Sequence, residues 1–206
     1  MSRHPMPTPV VLLCAVLSPL FALGAPQPET PVAKGSAWVD ASPIPAWNRP
    51  NGPIPKAHKG NGQSLSTGPC AKLARKPSTT ADRAVMKAGW TLLGALQVFD
   101  TTEVITAASE GDGMCRAMGF QVFVFVSGRF AGTLSPEPMS DRFDGAMGDV
   151  RITSAKNLSA TVRRYAEEDP LCCPSREASV DYEVQSGPKG PVVTATQATT
   201  QATTSP

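Results

Sequence analysis

Between residues 91 and 194 the apolar positions follow the patterns of β-strands. Within 178–184 apolar and polar residues alternate strictly, with Val180, Tyr182 and Val184 on one side, which predicts a strand with one face in water. The stretch 119–126 is apolar on both faces and predicts a central strand covered on both sides. Further strands are expected at 91–99, 101–109, 149–153 and 158–165, with a last edge strand at 191–194.

A short helix is predicted just before the first strand, at about 80–88, where alanines and a valine form one apolar stripe. Ser78 or Thr79 can cap its N-terminus, because their hydroxyl oxygens accept hydrogen bonds from free backbone N–H groups. Asp82 suits the first turn and Gly89 suits the end of the helix.

Short connections between the strands indicate antiparallel neighbours. Ser127 and Gly128 have the residue types of a two-residue hairpin turn, and Asp100 marks the break between the first two strands. We therefore predict an α+β fold, a single domain over 37–194 with a mainly antiparallel β-sheet, at least one short helix and disulfide bonds that staple it.

The segments that flank this domain have different compositions. Residues 25–36 are rich in proline and predict a linker, and residues 195–206 form a threonine-rich, low-complexity tail that we expect to be disordered. Residues 37–62 are rich in Pro, Gly and Asn but contain Trp38 and Trp47. Because two tryptophans are costly to leave in water, we expect this arm to be ordered by docking them on the domain.

The first 24 residues have the form of a secretory signal peptide. The apolar run is about 14 residues long, too short to span a bilayer as a helix, and it ends at small residues that favour cleavage after Gly24. Cys14 lies in the middle of this run and follows Leu13, so lipid attachment there is not expected. The sequence thus predicts a secreted or periplasmic cell-envelope protein whose mature chain has no transmembrane helix.

Charge and histidine content exclude several functions for the mature chain. Cleavage would leave 18 basic against 17 acidic residues, a net charge of +1, without a basic patch for nucleic acid or an anionic membrane. Only His58 remains after cleavage, in a Gly- and Pro-rich segment that is a poor scaffold for a catalytic base. A histidine-dependent hydrolase is therefore not expected, nor is any cofactor.

Four cysteines remain in the predicted mature chain: Cys70, Cys115, Cys172 and Cys173. An even number in an exported protein favours structural disulfides, whereas the spacing fits neither a zinc site nor the C-x-x-C pattern of redox enzymes. Three connectivities are possible. Because adjacent cysteines can bond to each other only in a constrained eight-membered ring, we favour the two in which Cys172 and Cys173 each bond to Cys70 or Cys115.

Acidic residues cluster between positions 137 and 149. One interpretation is a calcium loop or a carboxylate pair that cleaves envelope glycans; the other is turn chemistry, which Asp144-Gly145 favours. We favour turns, with a structural ion-pair network as a further possibility. The residues concerned are the acids Glu137, Asp141, Asp144 and Asp149 and the possible partners Arg129, Arg142 and Arg176.

Two long motifs, "GRFAGTLSPEPMSDRFDGAM" and "RYAEEDPLCCPSR", resemble the LppP/LprE lipoprotein family of bacterial envelope proteins, and the similarity extends over about 38–194. The resemblance implies export but gives no catalytic residue, since the role of the family is uncharacterised. We expect a monomeric, non-enzymatic binding or structural module, with an envelope protein or glycan as partner. The alternative is a secreted hydrolase that uses the acids of 137–149. A binding module predicts an exposed apolar or aromatic patch, for which Trp38, Trp47 and Trp90 are candidates.

Overall fold

The computed structural model describes residues 37–203, so the predicted signal peptide (1–24) and linker (25–36) lie outside the described residues. Most of the described chain forms two four-stranded antiparallel sheets. The first sheet has the order β1-β2-β3-β4, with β1 Thr91–Phe99, β2 Thr102–Gly111, β3 Ala117–Val126 and β4 Arg129–Thr133. The second has the order β5-β6-β7-β8, with β5 Met147–Ile152, β6 Asn157–Arg164, β7 Arg176–Gly187 and β8 Gly190–Ala202.

The first sheet lies between the second sheet and a helix. Phe123 and Phe125 of β3 pack in one cluster with the helix α1 (Thr80–Lys87), while Val122 and Val124 pack in another with the second sheet. β3 is thus covered on both faces, as its continuous apolar sequence predicts. The prediction of a mainly antiparallel fold with a short helix is confirmed. Two 3₁₀ helices, Ala37–Asp40 and Gly68–Leu73, complete the helical elements of the described residues.

The helix begins at a complete capping box. The Thr79 hydroxyl accepts a hydrogen bond from the Asp82 N–H, and the Asp82 carboxylate accepts one from the Thr79 N–H. Arg75 binds both oxygens of the same carboxylate, at 2.6 and 2.7 Å. Burial raises the pKa of Asp82, but the hydrogen bonds from Arg75 and Ser78 outweigh it and leave this pKa at about 2. The Asp82 carboxylate therefore stays ionised and fixes the start of the helix.

The N-terminal arm docks on the sheets, as its tryptophans predict. Trp38 is buried and meets Trp47 edge to face, with ring centroids 5.1 Å apart. Asn48 joins the two sheets, because its Nδ2 donates to the carbonyl of Thr133 in β4 at 2.8 Å and to that of Val193 in β8 at 2.9 Å. The arm thus closes one side of the sandwich.

The prediction of a disordered tail over 195–206 is corrected for its described part, which belongs to strand β8 as far as Ala202. Strand β8 continues to Ala202 and pairs with β7 along that length, with Thr200 opposite Ala178 and Ala202 opposite Arg176. The repeated threonines are β-branched and suit a strand once β7 offers a partner, while Ala195 is buried in the apolar cluster between the two sheets. Low complexity in this segment therefore reflects a regular strand.

The strands end in two unlike sets of connections. At one end, which we call the turn end, lie the connections at 100–101, 127–128, 153–156 and 188–189. Ser127 and Gly128 have φ values of 49° and 72°, as a type I′ hairpin turn requires, which confirms the predicted turn. The opposite end, the loop end, carries three connections: 112–116, 134–146 and 165–175. A hydrogen bond from the Thr102 hydroxyl to the Ala155 carbonyl ties the turn ends of the two sheets together.

Candidate functional site

Each of the three connections at the loop end exposes one large apolar side chain. The exposed fractions are 73% for Met114, 60% for Phe143 and 62% for Leu171. A soluble protein carries single exposed apolar residues at many places, but three on neighbouring loops are a candidate contact surface.

The loop 112–116 is organised by Asp112. Its Oδ1 accepts hydrogen bonds from the backbone N–H groups of Met114, at 2.8 Å, and Arg116, at 2.9 Å. The Arg116 side chain also pairs with the Asp112 carboxylate, and these interactions lower the pKa of Asp112. Cys115, beside the exposed methionine, is bonded to Cys70, so the base of the loop is fixed covalently.

The loop 134–146 is fastened to both sheets. Met139 exchanges two backbone hydrogen bonds with Phe120 of β3, and the Asp141 N–H donates to the Ala117 carbonyl at 3.0 Å. On the other side, the Asp141 carboxylate pairs with Arg163 of β6, and the Gly145 N–H donates to the Arg163 carbonyl. Exposed Phe143 lies between these two anchored points.

Arg164, the last residue of β6, links this loop to the arm. Only 6% of its side chain is exposed, and it binds both oxygens of Asp40, at 2.7 and 2.9 Å, and Asp144 at 3.2 Å. The hydrogen bonds with Asp40 are the largest influence; they raise the pKa of Arg164 and lower that of Asp40. Asp144 also accepts the N–H of Tyr165 at 2.7 Å, so one carboxylate connects two of the three loops.

The loop 165–175 is organised by Asp169. Its Oδ2 accepts hydrogen bonds from the Ala166 N–H at 2.7 Å and from the N–H and hydroxyl of Ser175, both at 2.8 Å. These backbone hydrogen bonds, first that of Ser175, lower the pKa of Asp169. The Tyr165 hydroxyl donates to the carbonyl of Leu171, which holds the exposed tip of the loop.

A depression of about 450 Å³ lies beside Phe143 and has a mostly apolar wall. Met118, Pro138 and Met139 form much of that wall, and Asp144 lies at its border. The depression and the exposed ring together offer an apolar surface that can receive an apolar side chain from outside. It provides few hydrogen-bonding groups for a polar ligand.

The cysteines pair differently from the expectation. Cys70 is bonded to Cys115, with an S–S distance of 2.04 Å and a Cα–Cα distance of 5.3 Å, and Cys172 is bonded to Cys173. The cross-bridged connectivity favoured from the sequence is therefore wrong. The physical reason is position: Cys70 is fully buried beside the loop 112–116, whereas Cys172 and Cys173 are exposed at the tip of the loop 165–175.

The acids of 137–149 do not share a common site. Asp141 pairs with Arg163, Asp144 with Arg164, and Asp149 weakly with Arg151 at 3.6 Å, while Glu137 is exposed. The ion pairs expected from the sequence exist, but with other arginines than predicted, since Arg129 binds the Asn51 side chain. Asp141 and Asp144 act in loop structure, in agreement with the interpretation as turn chemistry.

The tryptophans do not form the exposed patch. Trp38 and Trp90 are buried, and Trp47 packs against the core. Sequence reasoning missed Met114, Phe143 and Leu171, the three most exposed of the large apolar residues in the described chain, although a signal was present. Each lies next to turn-forming residues, in the segments DGMC, RFDG and DPLC, where an apolar side chain has no strand or helix face to join.

Two further findings bear on chemistry and location. Within residues 37–203, no three His, Cys, Asp or Glu side chains are grouped so that they could hold a metal ion. His58, the histidine considered from the sequence, is exposed. In the same described range, no helix has the length and apolar character needed to cross a membrane.

Comparisons with known proteins complete this description. Neither the curated proteins nor the solved structures gave a match. The family model of the LppP/LprE lipoproteins matches residues 97–187, which include strands β2 to β7 and all three loops of the loop end. This match is shorter than the 38–194 expected from the motifs. The resemblance to the LppP/LprE lipoprotein family expected from the motifs is thus confirmed over residues 97–187, where the chain matches the family model.

Proposed function

We propose that this protein is an exported, monomeric cell-envelope protein that works as a non-enzymatic binding module. In this proposal the loop end docks on an apolar surface of another envelope protein. The family match supports a place in the envelope, because the matched family is one of lipoproteins.

One observation carries the proposal: Met114, Phe143 and Leu171 are held out in solvent by loops that their own aspartates fix. A flexible loop would lose conformational freedom on binding, and that loss would weaken the complex. Loops that are already ordered avoid much of this cost. Exposed apolar groups on an ordered support are the composition expected at the centre of a protein interface.

The same geometry favours binding over glycan hydrolysis. A glycosidase needs two carboxyl groups that face one glycosidic bond, one of them protonated. Asp141 pairs with Arg163 and Asp144 pairs with Arg164, so each carboxylate is engaged in holding the loop rather than facing a shared substrate site. A protein partner is also favoured over a glycan, because methionine, phenylalanine and leucine side chains offer no strong hydrogen bonds to sugar hydroxyls.

Site-specific photo-cross-linking in intact cells can test the docking surface. Gly113, next to Met114, is exposed and has open space around a Cβ, so it can be replaced by a benzophenone amino acid. Gly187 near the turn end is equally exposed and open, and serves as the matched control. We expect a discrete adduct from position 113 and none from position 187.

The adduct must also depend on the other two loops. Combining the probe at Gly113 with F143S and L171S should reduce its yield at least fivefold while the thermal unfolding midpoint stays the same. Equal adducts from both ends, or a yield that the two substitutions do not change, would contradict docking through the loop end.

Export is tested separately, by cell fractionation and by determining the N-terminus of the recovered protein. We expect the chain in the envelope or the medium, beginning near Ala25. Recovery of the intact chain from Met1 in the cytoplasm would contradict export and leave the binding surface untouched.

A further inference from the structure

The two disulfides of the described chain differ in sequence separation and in burial. Cys70–Cys115 joins residues 45 positions apart and has a fully buried sulfur, whereas Cys172–Cys173 joins neighbours at an exposed loop tip. We propose that the Cys172–Cys173 pair is a thiol–disulfide exchange site, which accepts electrons from a dithiol while the protein stays folded. This inference does not rest on the proposed binding function.

Access is the first argument. Exchange requires a thiolate to reach one of the two sulfur atoms, and its rate falls when the disulfide is covered. Both Cys172 and Cys173 are exposed, as are Leu171 before them and Ser175 shortly after. The tip of the loop therefore presents the bond to a reagent or to the reactive cysteine of another protein.

The loop does not need the bond to keep its shape, which is the second argument. Asp169 binds two backbone N–H groups and one hydroxyl across the base of the loop, and Tyr165 holds the Leu171 carbonyl. The Cys173 N–H also donates to the Pro170 carbonyl at 2.9 Å. A bond between neighbouring residues encloses almost no chain, so its reduction releases little conformational freedom.

The third argument is that neither sulfur belongs to the core. Cys172 and Cys173 are absent from both buried apolar clusters, whereas Cys70 lies in the larger one and Cys115 packs against it. Opening the exposed pair leaves the packing of the sheets unchanged. Opening the buried pair would disturb it, so only one of the two disulfides suits repeated reduction and oxidation.

The exchange proceeds in two displacements. A thiolate of the dithiol attacks one sulfur of the pair, forms a mixed disulfide with that cysteine, breaks the Cys172–Cys173 bond and releases the other cysteine as a thiolate. The second thiol of the reagent loses its proton and attacks the mixed disulfide, which closes the reagent's own disulfide and releases the second cysteine. The dithiol loses two electrons, the pair gains two, and two protons pass to the cysteine sulfurs.

Reduction of the folded protein with dithiothreitol tests the proposal. After increasing concentrations of the reagent, free thiols are alkylated and located by peptide mass mapping. We expect Cys172 and Cys173 to be alkylated together at concentrations at least tenfold below those that expose Cys70 and Cys115, with an unchanged near-ultraviolet circular dichroism spectrum. Simultaneous reduction of both pairs, or reduction only on unfolding, would overturn the proposal.

Single-cysteine variants test the ring closure that follows. With oxidised glutathione, C172S and C173S should each keep a stable glutathione adduct, because no neighbouring thiol remains to expel it. The reduced native protein should lose the adduct as the Cys172–Cys173 bond closes again. A native protein that keeps glutathione as long as the variants would show that the pair does not exchange in the fold.

Discussion

The turn end and the loop end of this sandwich both reverse the direction of the chain, but different interactions hold their connections in place. At the turn end the hairpin turn 127–128 reverses through the left-handed backbone conformations of Ser127 and Gly128. The turn 153–156 uses uncharged side chains instead, since the Ser154 hydroxyl accepts the N–H groups of Lys156 and Asn157. At the loop end, aspartates accept backbone N–H groups and pair with arginines of the loops and of β6. The difference teaches that the loop end depends on charged side chains and on a disulfide, and should respond to changes in both.

The largest expected effect concerns the disulfide beneath the loop end. The variant C70A/C115A removes a bond between residues 45 apart, and the chain-entropy relation gives a loss of about 4 kcal/mol in the free energy of unfolding. In the matched control C172S/C173S, the free energy of unfolding should fall by only about 1 kcal/mol, because the bond that this variant removes closes almost no loop. Urea unfolding of both variants measures this, and equal losses would contradict the distinction between the two bonds.

Arg164 should give the next largest effect. R164A removes a buried guanidinium that holds Asp40 and Asp144, and we expect a loss of about 3 kcal/mol. R151A is the control, because the pair between Arg151 and Asp149 is about three-quarters exposed on both sides and should contribute less than about 0.5 kcal/mol. Denaturant unfolding with each variant is the measurement. A loss below 1 kcal/mol for R164A would mean that the loop end does not depend on this link.

A smaller effect is expected at the turn end. Gly128 has a positive φ of 72° and no heavy atom within 4 Å of a Cβ placed there. G128A therefore meets no steric obstacle beyond the backbone conformation, and should cost about 1 kcal/mol. Thermal unfolding would reveal the change. An effect as large as that of R164A would show that the turn end also depends on side-chain packing.

Acid should loosen the loops before it affects the turns. The pKa values of Asp112 and Asp169 are lowered in the fold, so their contribution is present above the unfolded pKa of about 3.9 and is lost as the pH falls below it. Amide hydrogen exchange, corrected for the intrinsic rate at each pH, should show reduced protection at Met114 and Ser175 as the pH falls from about 4 through the lowered pKa values of the two carboxyl groups. Protection at the turn 127–128 should stay constant, and a parallel decline there would contradict the contrast.

Sequence patterns correctly predicted the parts of the fold that depend on interactions between residues close together in the chain. The strand 91–99, the hairpin turn at Ser127-Gly128 and the cap at Thr79 depend on neighbouring residues, and the structure has all three. The arm could also be anticipated, because a tryptophan in an otherwise polar segment must find an apolar surface.

The remaining features depend on contacts between distant residues. The end of β8 is a strand because β7 lies beside it, and the threonine-rich sequence alone does not reveal that partner. The pairing of the cysteines depends on which loops lie together, so the constrained ring between neighbours was a misleading reason to disfavour the Cys172–Cys173 bond. Arg164 could not be singled out, since its partners Asp40 and Asp144 lie 124 and 20 positions away.

The position of Asn48 has a consequence for the free edges of the two sheets. Edge strands carry backbone groups that can pair with another chain and begin aggregation. The Asn48 amide occupies such groups on β4 and β8, and its close approach to Gly132 leaves no room for a Cβ there. At the opposite edge of the first sheet the Arg75 N–H donates to the Leu92 carbonyl of β1. The N-terminal arm thus covers backbone groups on β4 and β8 that a second chain would otherwise be able to pair with, and Arg75 does the same for β1.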